Sequence, residues 1–201
     1  MTPATDPVHP FDAVLLAGGR ASRLDGIDKT ALGGTGRTLL DRAVAATVGA
    51  GRVVVVGLRD GSRLPVGAVG VREDPPFGGP VAALAAGLRT DGPDDTAASA
   101  PTTLVLACDL VRPTAAVALL WRAVAGADTA DGWIAVDDDG VRQPLLGLYR
   151  TAALRAALAA LDVVDGASLH RLLAPLDLVE VPVPSELCAD VDTPEAAARL
   201  R

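Results

Sequence analysis

Residues 11–29 read FDAVLLAGGRASRLDGIDK, an apolar run that leads straight into a glycine loop carrying basic side chains. The run over residues 11–17 is nearly continuous rather than alternating, which is typical of a strand in a sheet covered on both faces. A glycine loop directly after such a strand indicates the ligand-binding edge of an open α/β sheet. This stretch therefore predicts a buried parallel strand with a ligand site at its carboxyl end.

The first half of the chain repeats this alternation of short apolar runs and longer Ala- and Leu-rich segments. Such a β-α order predicts a three-layer α/β/α sandwich with a mostly parallel, Rossmann-like sheet. The further predicted strands are residues 52–57, 69–73 and 103–108, and the predicted helices are residues 38–50, 80–89 and 113–125.

The second half is less regular, and it contains a DDDG turn at residues 137–140. We expect strands on either side of this turn, which is simpler to interpret as a hairpin than as a metal cluster. Residues 178–183 alternate like an edge or antiparallel strand. The predicted elements are strands 132–136 and 143–149 and helices 151–161, 168–173 and 193–200. Residues 1–10 are expected to be a disordered tail, and residues 11–201 a single domain.

Composition excludes several classes of function. Half of the 201 residues are hydrophobic and 2% are aromatic, so the core must be built from Ala, Val and Leu. The net charge of −7 argues against binding nucleic acid, and no apolar stretch is long enough to span a membrane. The two cysteines and two histidines cannot form a zinc site, and we expect buried free thiols in a cytoplasmic protein.

The glycine loop has the chemistry of a phosphate site. Gly18 and Gly19 allow the backbone to approach a ligand closely, while Arg23 and Lys29 add positive charge. Neither a dinucleotide fingerprint nor a Walker A loop fits, because the glycines are adjacent and Asp28 precedes the lysine. Lys29 is also the only lysine in the chain. The alternatives are a plain β-α turn with surface charges, and a lone lysine left by chance in an Arg-rich composition.

A second candidate is Asp109, which follows an apolar strand and precedes a Pro-containing turn. A carboxylate at this edge suits Mg²⁺, which takes one or two protein carboxylates together with phosphate oxygens and water. The alternative role is a helix N-cap. Trp121, Trp133 and Tyr149 are expected to be packing residues.

Five motifs together resemble the molybdenum cofactor guanylyltransferase family, a branch of the GT-A-like nucleotidyltransferases. They occur in the family's order and cover roughly residues 11–200. The motifs are the LAGG loop with Arg23 and Lys29, REDPPFGGPVAALAAG at residues 72–87, CD at 108–109, QPLLGLY at 143–149 and DVDTPE at 190–195.

The resemblance implies Mg²⁺-dependent transfer of GMP from GTP to molybdopterin carrying molybdenum, with release of pyrophosphate. It also implies transient contact with other cofactor-biosynthesis proteins or molybdoenzymes. The catalytic residues would be Lys29, Arg23 and Asp109, the metal ligands Asp109 and Asp192, and the acceptor-side residues Gln143 and Asp190. The implied nucleotide-binding residues are Leu16, Ala17, Gly18, Gly19, Lys29, Asp74, Gly79 and Asp109.

Three aspartates depart from the family pattern. Asp25 stands where the family often has Gly, and Asp190 and Asp192 stand where it commonly has Asn. Two alternatives therefore stay open. The first is cytidylyl or other nucleotidyl transfer to a different phosphorylated acceptor. The second is a catalytically inactive module that only binds nucleotide or cofactor.

Overall fold

The computed structural model describes residues 9–18, 37–59, 61–89, 99–124 and 129–191. Gly19, Arg23, Lys29 and Asp192 lie outside these ranges, as does the predicted closing helix at 193–200.

Seven strands form one sheet in the order β3-β2-β1-β4-β6-β5-β7. All of them run in the same direction except β6, which is antiparallel to both β4 and β5. This confirms the predicted mostly parallel sheet. The strands are β1 Phe11–Leu16, β2 Val53–Val56, β3 Ala68–Val71, β4 Thr102–Ala107, β5 Gly132–Val136, β6 Arg142–Arg150 and β7 Leu178–Pro182.

The described residues contain six helices, of which five lie between strands and the last follows β7. They are α1 Leu39–Ala45, α2 Pro80–Arg89, α3 Pro113–Val124, α4 Thr151–Ala159, α5 Leu169–Leu173 and α6 Ser185–Cys188. Thr38 caps α1: its hydroxyl accepts from the Asp41 N–H at 3.1 Å, and Asp41 accepts in return from the Thr38 N–H at 2.9 Å. These hydrogen bonds from Thr38 lower the pKa of Asp41 because they favour the carboxylate. None of the helices in the described ranges is long and apolar enough to cross a membrane.

The sheet has a separate apolar core on each face. Leu15 of β1 belongs to the cluster shared with α1 and α3, whereas Val14 belongs to the cluster shared with α2, α4 and α5. Successive strand residues thus face opposite helical layers, as period-2 geometry requires. The predicted three-layer sandwich is therefore confirmed.

The aromatic side chains pack as predicted. Trp133 and Tyr149 are each 1% exposed, and the Trp121 ring packs edge-on against Phe11 with 4.9 Å between the ring centroids. The Tyr149 hydroxyl donates to the Pro144 carbonyl oxygen at 2.8 Å. Burial raises the pKa of the Tyr149 phenol, so the hydroxyl keeps its proton for this bond.

The β5–β6 connection is the predicted hairpin. Asp137 Oδ1 accepts from the backbone N–H groups of Asp139 at 3.1 Å and Val141 at 2.9 Å. Gly140 takes a positive φ of 77° at the tip of the turn. The Asp137 carboxylate therefore stabilises the turn itself, whereas Asp138 Oδ2 accepts from the Ser185 N–H at 2.8 Å.

Strand β7 lies at the sheet edge, which is the first of the two alternatives predicted for residues 178–183, and it pairs parallel to β5. The predicted length of the first helix needs correction. Helix α1 ends at Ala45, five residues before the predicted end. Its continuation is a turn that leads to Gly49, where a φ of 93° ends helical geometry.

Candidate active site

The carboxyl ends of four neighbouring strands meet at one edge of the sheet. Leu16 of β1 stands opposite Val56 of β2 and Ala107 of β4. Backbone hydrogen bonds continue this alignment past the strand ends. The Ala17 N–H donates to the Val56 carbonyl oxygen at 2.9 Å, and the Cys108 N–H donates to the Leu16 carbonyl oxygen at 3.0 Å. The residues that follow β1 and β4 are therefore held side by side.

A cleft of about 310 Å³ opens at this edge. The ends of β1 and β4 line one part of the cleft. The loop between β3 and α2, the first turn of α2 and the first half of β6 line the rest. Four of its residues are ones that the sequence predicted: Leu16, Gly18, Gly79 and Asp109. The full lining is Leu16, Gly18, Glu73, Phe77, Gly79, Pro80, Ala83, Ala107, Asp109 and Leu145.

Gly18 packs against a second glycine, Gly57, which follows β2. A Cβ added at Gly57 would lie 2.8 Å from the Gly18 Cα and 3.0 Å from its nitrogen. Gly57 also has a φ of 78°, which disfavours other residues. Sequence reasoning missed Gly57, although a glycine directly after a buried strand was an available signal.

We expect Gly57→Ala to lower the free energy of unfolding by about 1–2 kcal/mol through its positive φ. It should also weaken binding of the GTP that the sequence resemblance implies, because it displaces Gly18. Urea denaturation and calorimetric titration with GTP measure the two effects. Gly67→Ala is the matched control, because Gly67 has a φ of 82° and open space around its Cβ position. If both variants bind GTP equally well, the Gly18–Gly57 contact does not support the site.

The loop between β3 and α2 presents Glu73 and Phe77 to the cleft. Glu73 is half-buried, and its Oε1 accepts from the Phe77 N–H at 3.2 Å. Asp74, the predicted nucleotide contact, is exposed and does not line the cleft. Of the two adjacent acids, the structure therefore brings Glu73 to the cleft.

Helix α2 begins at the cleft with Gly79 and Pro80 as lining residues. No acidic residue of α2 stands in its own first turn. Gly78, which precedes the helix, is packed tightly: a Cβ there would lie 2.7 Å from Asp165 Oδ1 and 2.8 Å from the Ala82 Cβ. The Asp165 carboxylate therefore already lies beside the positive end of the helix dipole.

Asp109 lies at the far side of the cleft, where the C-terminal segment returns to the sheet. Leu110 and Asp190 form an antiparallel bridge, and the Val191 N–H donates to the Asp109 carbonyl oxygen at 3.1 Å. Asp190 is thus brought beside the end of β4, and the residue before Asp192 contacts Asp109. The alternative N-cap role of Asp109 does not hold, because α3 begins only at Pro113.

Cys108, just before Asp109, is a buried free thiol as predicted. Burial, together with the nearby Asp109 charge, raises its pKa, so the thiol stays neutral. Cys188 is also free and half-buried. Burial raises its pKa as well.

Gln143 lies at the same sheet edge but outside the cleft lining. Its amide Nε2 donates to Asp137 Oδ2 at 2.9 Å, which ties it to the hairpin. The β5–β6 register shifts here, with Ala135 opposite Gln143 but Ile134 opposite Gly147. On β6 the irregular stretch runs between Gln143 and Gly147, and it contains Leu145, the residue of β6 that lines the cleft.

A family model described as the MobA-like NTP transferase domain matches residues 13–181. The chain belongs to this family. The MobA-like NTP transferase match contains every residue that lines the cleft. No curated protein matches the chain.

Solved structures share the fold of this MobA-like NTP transferase domain at low identity. Molybdopterin-guanine dinucleotide biosynthesis protein A from Archaeoglobus fulgidus is 22% identical with a TM-score of 0.66, covering 94% of this chain and 96% of its own. A homologue of rv0371c from Mycobacterium sp. strain JC1 is 21% identical with a TM-score of 0.69, covering 94% of both chains. The 2-C-methyl-D-erythritol 4-phosphate cytidylyltransferase from Thermus thermophilus is 22% identical with a TM-score of 0.61, covering 93% of this chain and 95% of its own.

Proposed function

We propose that this NTP transferase domain is a Mg²⁺-dependent molybdenum cofactor guanylyltransferase. It would transfer GMP from GTP to the phosphate of molybdopterin carrying molybdenum, forming the guanine dinucleotide cofactor and pyrophosphate. The observation that carries the proposal is the cleft, where the Gly18 backbone and the Asp109 carboxylate lie at the ends of adjacent strands. The resemblance in five motifs supplies the choice of GTP and acceptor.

The proposed reaction is a single displacement. An oxygen of the acceptor phosphate attacks the α-phosphorus of GTP and forms the new P–O bond. The bond from the α-phosphorus to the α,β-bridging oxygen breaks, and pyrophosphate leaves with that electron pair. Positioning and charge neutralisation supply the acceleration, and no covalent enzyme intermediate is needed. The backbone from Leu16 through Ala17 and Gly18 to Gly19 would hold the triphosphate, and Arg23 and Lys29 would neutralise its charge.

The residues beside the cleft suit Mg²⁺. Asp109 offers a hard carboxylate ligand on the lining, and Mg²⁺ needs only one or two such ligands beside phosphate and water oxygens. The Val191–Asp109 hydrogen bond brings the chain beside Asp109 one residue before Asp192. We therefore propose Asp109 and Asp192 as the ligands. When bound, the metal would offset negative charge on the reacting phosphates.

We place the acceptor on the Asp190 side of the cleft. Asp190 bridges to Leu110, next to the proposed metal ligand, so an acceptor phosphate held there would lie near the α-phosphorus. Gln143 lies on the same sheet edge and is the second proposed acceptor contact, although its amide is bound to Asp137 in this structure. Asp74 and Gly79 remain proposed nucleotide contacts. Delivery of the product would involve transient contact with other cofactor-biosynthesis proteins or molybdoenzymes.

Pyrophosphate release with each of the four NTPs, Mg²⁺ and the molybdenum cofactor tests the guanylyl assignment. We expect turnover with GTP and little with CTP, ATP or UTP. Turnover with CTP but not GTP would favour the second candidate, cytidylyl transfer. The similarity to the Thermus thermophilus cytidylyltransferase supports that candidate. This enzyme and the Archaeoglobus fulgidus protein are both 22% identical to this chain. Tight GTP binding without pyrophosphate release, whatever the acceptor, would identify an inactive binding module.

A further inference from the structure

Phe77 is an exposed aromatic residue on the cleft wall. Phe77 is 73% exposed, whereas Phe11, Trp133 and Tyr149 are all at most 5% exposed and Trp121 is half-buried. In a chain with 2% aromatic residues, an aromatic ring left in solvent at the edge of a ligand cleft forgoes the burial that the others obtain. A flat ligand group in the cleft would cover this ring.

The backbone holds Phe77 in an unfavourable conformation. Its φ is 68°, a region that a bulky side chain rarely adopts. Two contacts fix this turn: the Phe77 N–H donates to Glu73 Oε1 at 3.2 Å, and the Gly166 N–H donates to the Gly78 carbonyl oxygen at 2.8 Å. Residues kept in such conformations by their surroundings are concentrated at ligand sites.

The charges of the cleft divide it into two parts. Carboxylates lie in both parts. Asp109 lies at the strand end next to Gly18, where the proposed Mg²⁺ would offset its charge and bind phosphate oxygens. Glu73 lies beside Phe77, where no metal ligand is proposed, so its carboxylate disfavours phosphates there. The uncharged nucleoside part of a nucleotide therefore suits the Phe77 side of the cleft.

We propose that Phe77 stacks on the base of the bound nucleotide and that Glu73, through the Phe77 N–H, positions the turn that presents the ring. This inference rests on the proposed function, since it assigns a part of the same nucleotide site. Stacking uses the face of the base and not its edge, so Phe77 contributes affinity for any nucleoside triphosphate. The choice between GTP and CTP then belongs to other contacts.

The experiment compares Phe77→Gly with Phe77→Trp by calorimetric titration with GTP, CTP and inorganic tripolyphosphate. Glycine fits the positive φ, so we expect Phe77→Gly to melt at or above the wild-type temperature. We expect its Kd for GTP and for CTP to rise about 5- to 150-fold, the loss of one base–aromatic stack. Binding of tripolyphosphate should not change, and Phe77→Trp should keep wild-type affinity.

The outcomes separate this inference from the proposed function. If the wild type binds and transfers GMP while Phe77→Gly binds GTP as tightly, the stacking role is wrong and the proposed function stands. An equal loss of tripolyphosphate and GTP affinity also contradicts stacking, because it shows a general disturbance of the site. If the wild type binds no nucleoside triphosphate, both proposals fail together.

Discussion

Asp109→Asn should lower kcat/KM for Mg²⁺-dependent GMP transfer by about 10³-fold. This is the upper end of the loss of rate expected when an enzyme loses one electrostatic contact to its transition state. The substitution keeps the size of the side chain but removes the charge that a metal ligand needs. The hydrogen bond from Val191 is retained in the variant, because it uses the Asp109 carbonyl oxygen. Initial rates across a Mg²⁺ titration measure the loss of activity, and thermal melting checks that the variant is folded.

Asp139→Asn is the matched control for this substitution. Asp139 is an exposed acid at the hairpin tip, and its backbone N–H, not its side chain, makes the hydrogen bond to Asp137. The control should therefore transfer GMP at the wild-type rate. If Asp109→Asn keeps substantial Mg²⁺-dependent activity, Asp109 is not a metal ligand.

Lys29→Ala should lower GMP transfer by about 10²- to 10³-fold, since it removes a charge proposed to offset the reacting phosphates. Lys29→Arg should also lose most of the activity. A compact ammonium can lie between phosphate oxygens as a point charge, whereas the broader planar guanidinium cannot occupy the same space. The rate with saturating GTP and the molybdenum cofactor measures both variants.

Arg122→Ala is the control for lost positive charge, because Arg122 is exposed on α3 and lies outside the cleft lining. Its activity should match the wild type. Full activity in Lys29→Arg would show that any cation serves at this position, and near-normal turnover in Lys29→Ala would remove Lys29 from the mechanism altogether.

The strands could be found from the sequence because a strand that is buried on both faces has a continuous run of apolar residues. The predicted site residues then follow directly after those runs. Continuous apolar runs such as β1 and β4 predict parallel strands, and the residues just after them, Gly18 and Asp109, follow from topology. Helix α2 was predicted with its observed bounds because a Pro begins it and a basic residue ends it. These features depend mainly on local sequence.

The remainder depends on contacts between distant segments. Gly57 matters because its backbone touches Gly18 across two strand ends, which no local pattern encodes. Glu73 and Phe77 face the cleft because of the path of their loop, so the choice of Glu73 over Asp74 could not be made from the sequence. The direction of β7 likewise depends on its pairing with β5, to which it runs parallel. The alternation of apolar and polar residues along β7 does not specify the direction of the neighbouring strand.

The most direct test of the proposed reaction follows the two ends of the triphosphate separately. The wild-type protein is incubated with Mg²⁺, the molybdenum cofactor and GTP labelled with ³²P at either the α- or the γ-phosphate. We expect the α-label to enter a guanine dinucleotide product while the γ-label leaves in pyrophosphate. Label from the γ-position on the acceptor, or hydrolysis of GTP to GDP and phosphate without labelled product, would contradict it.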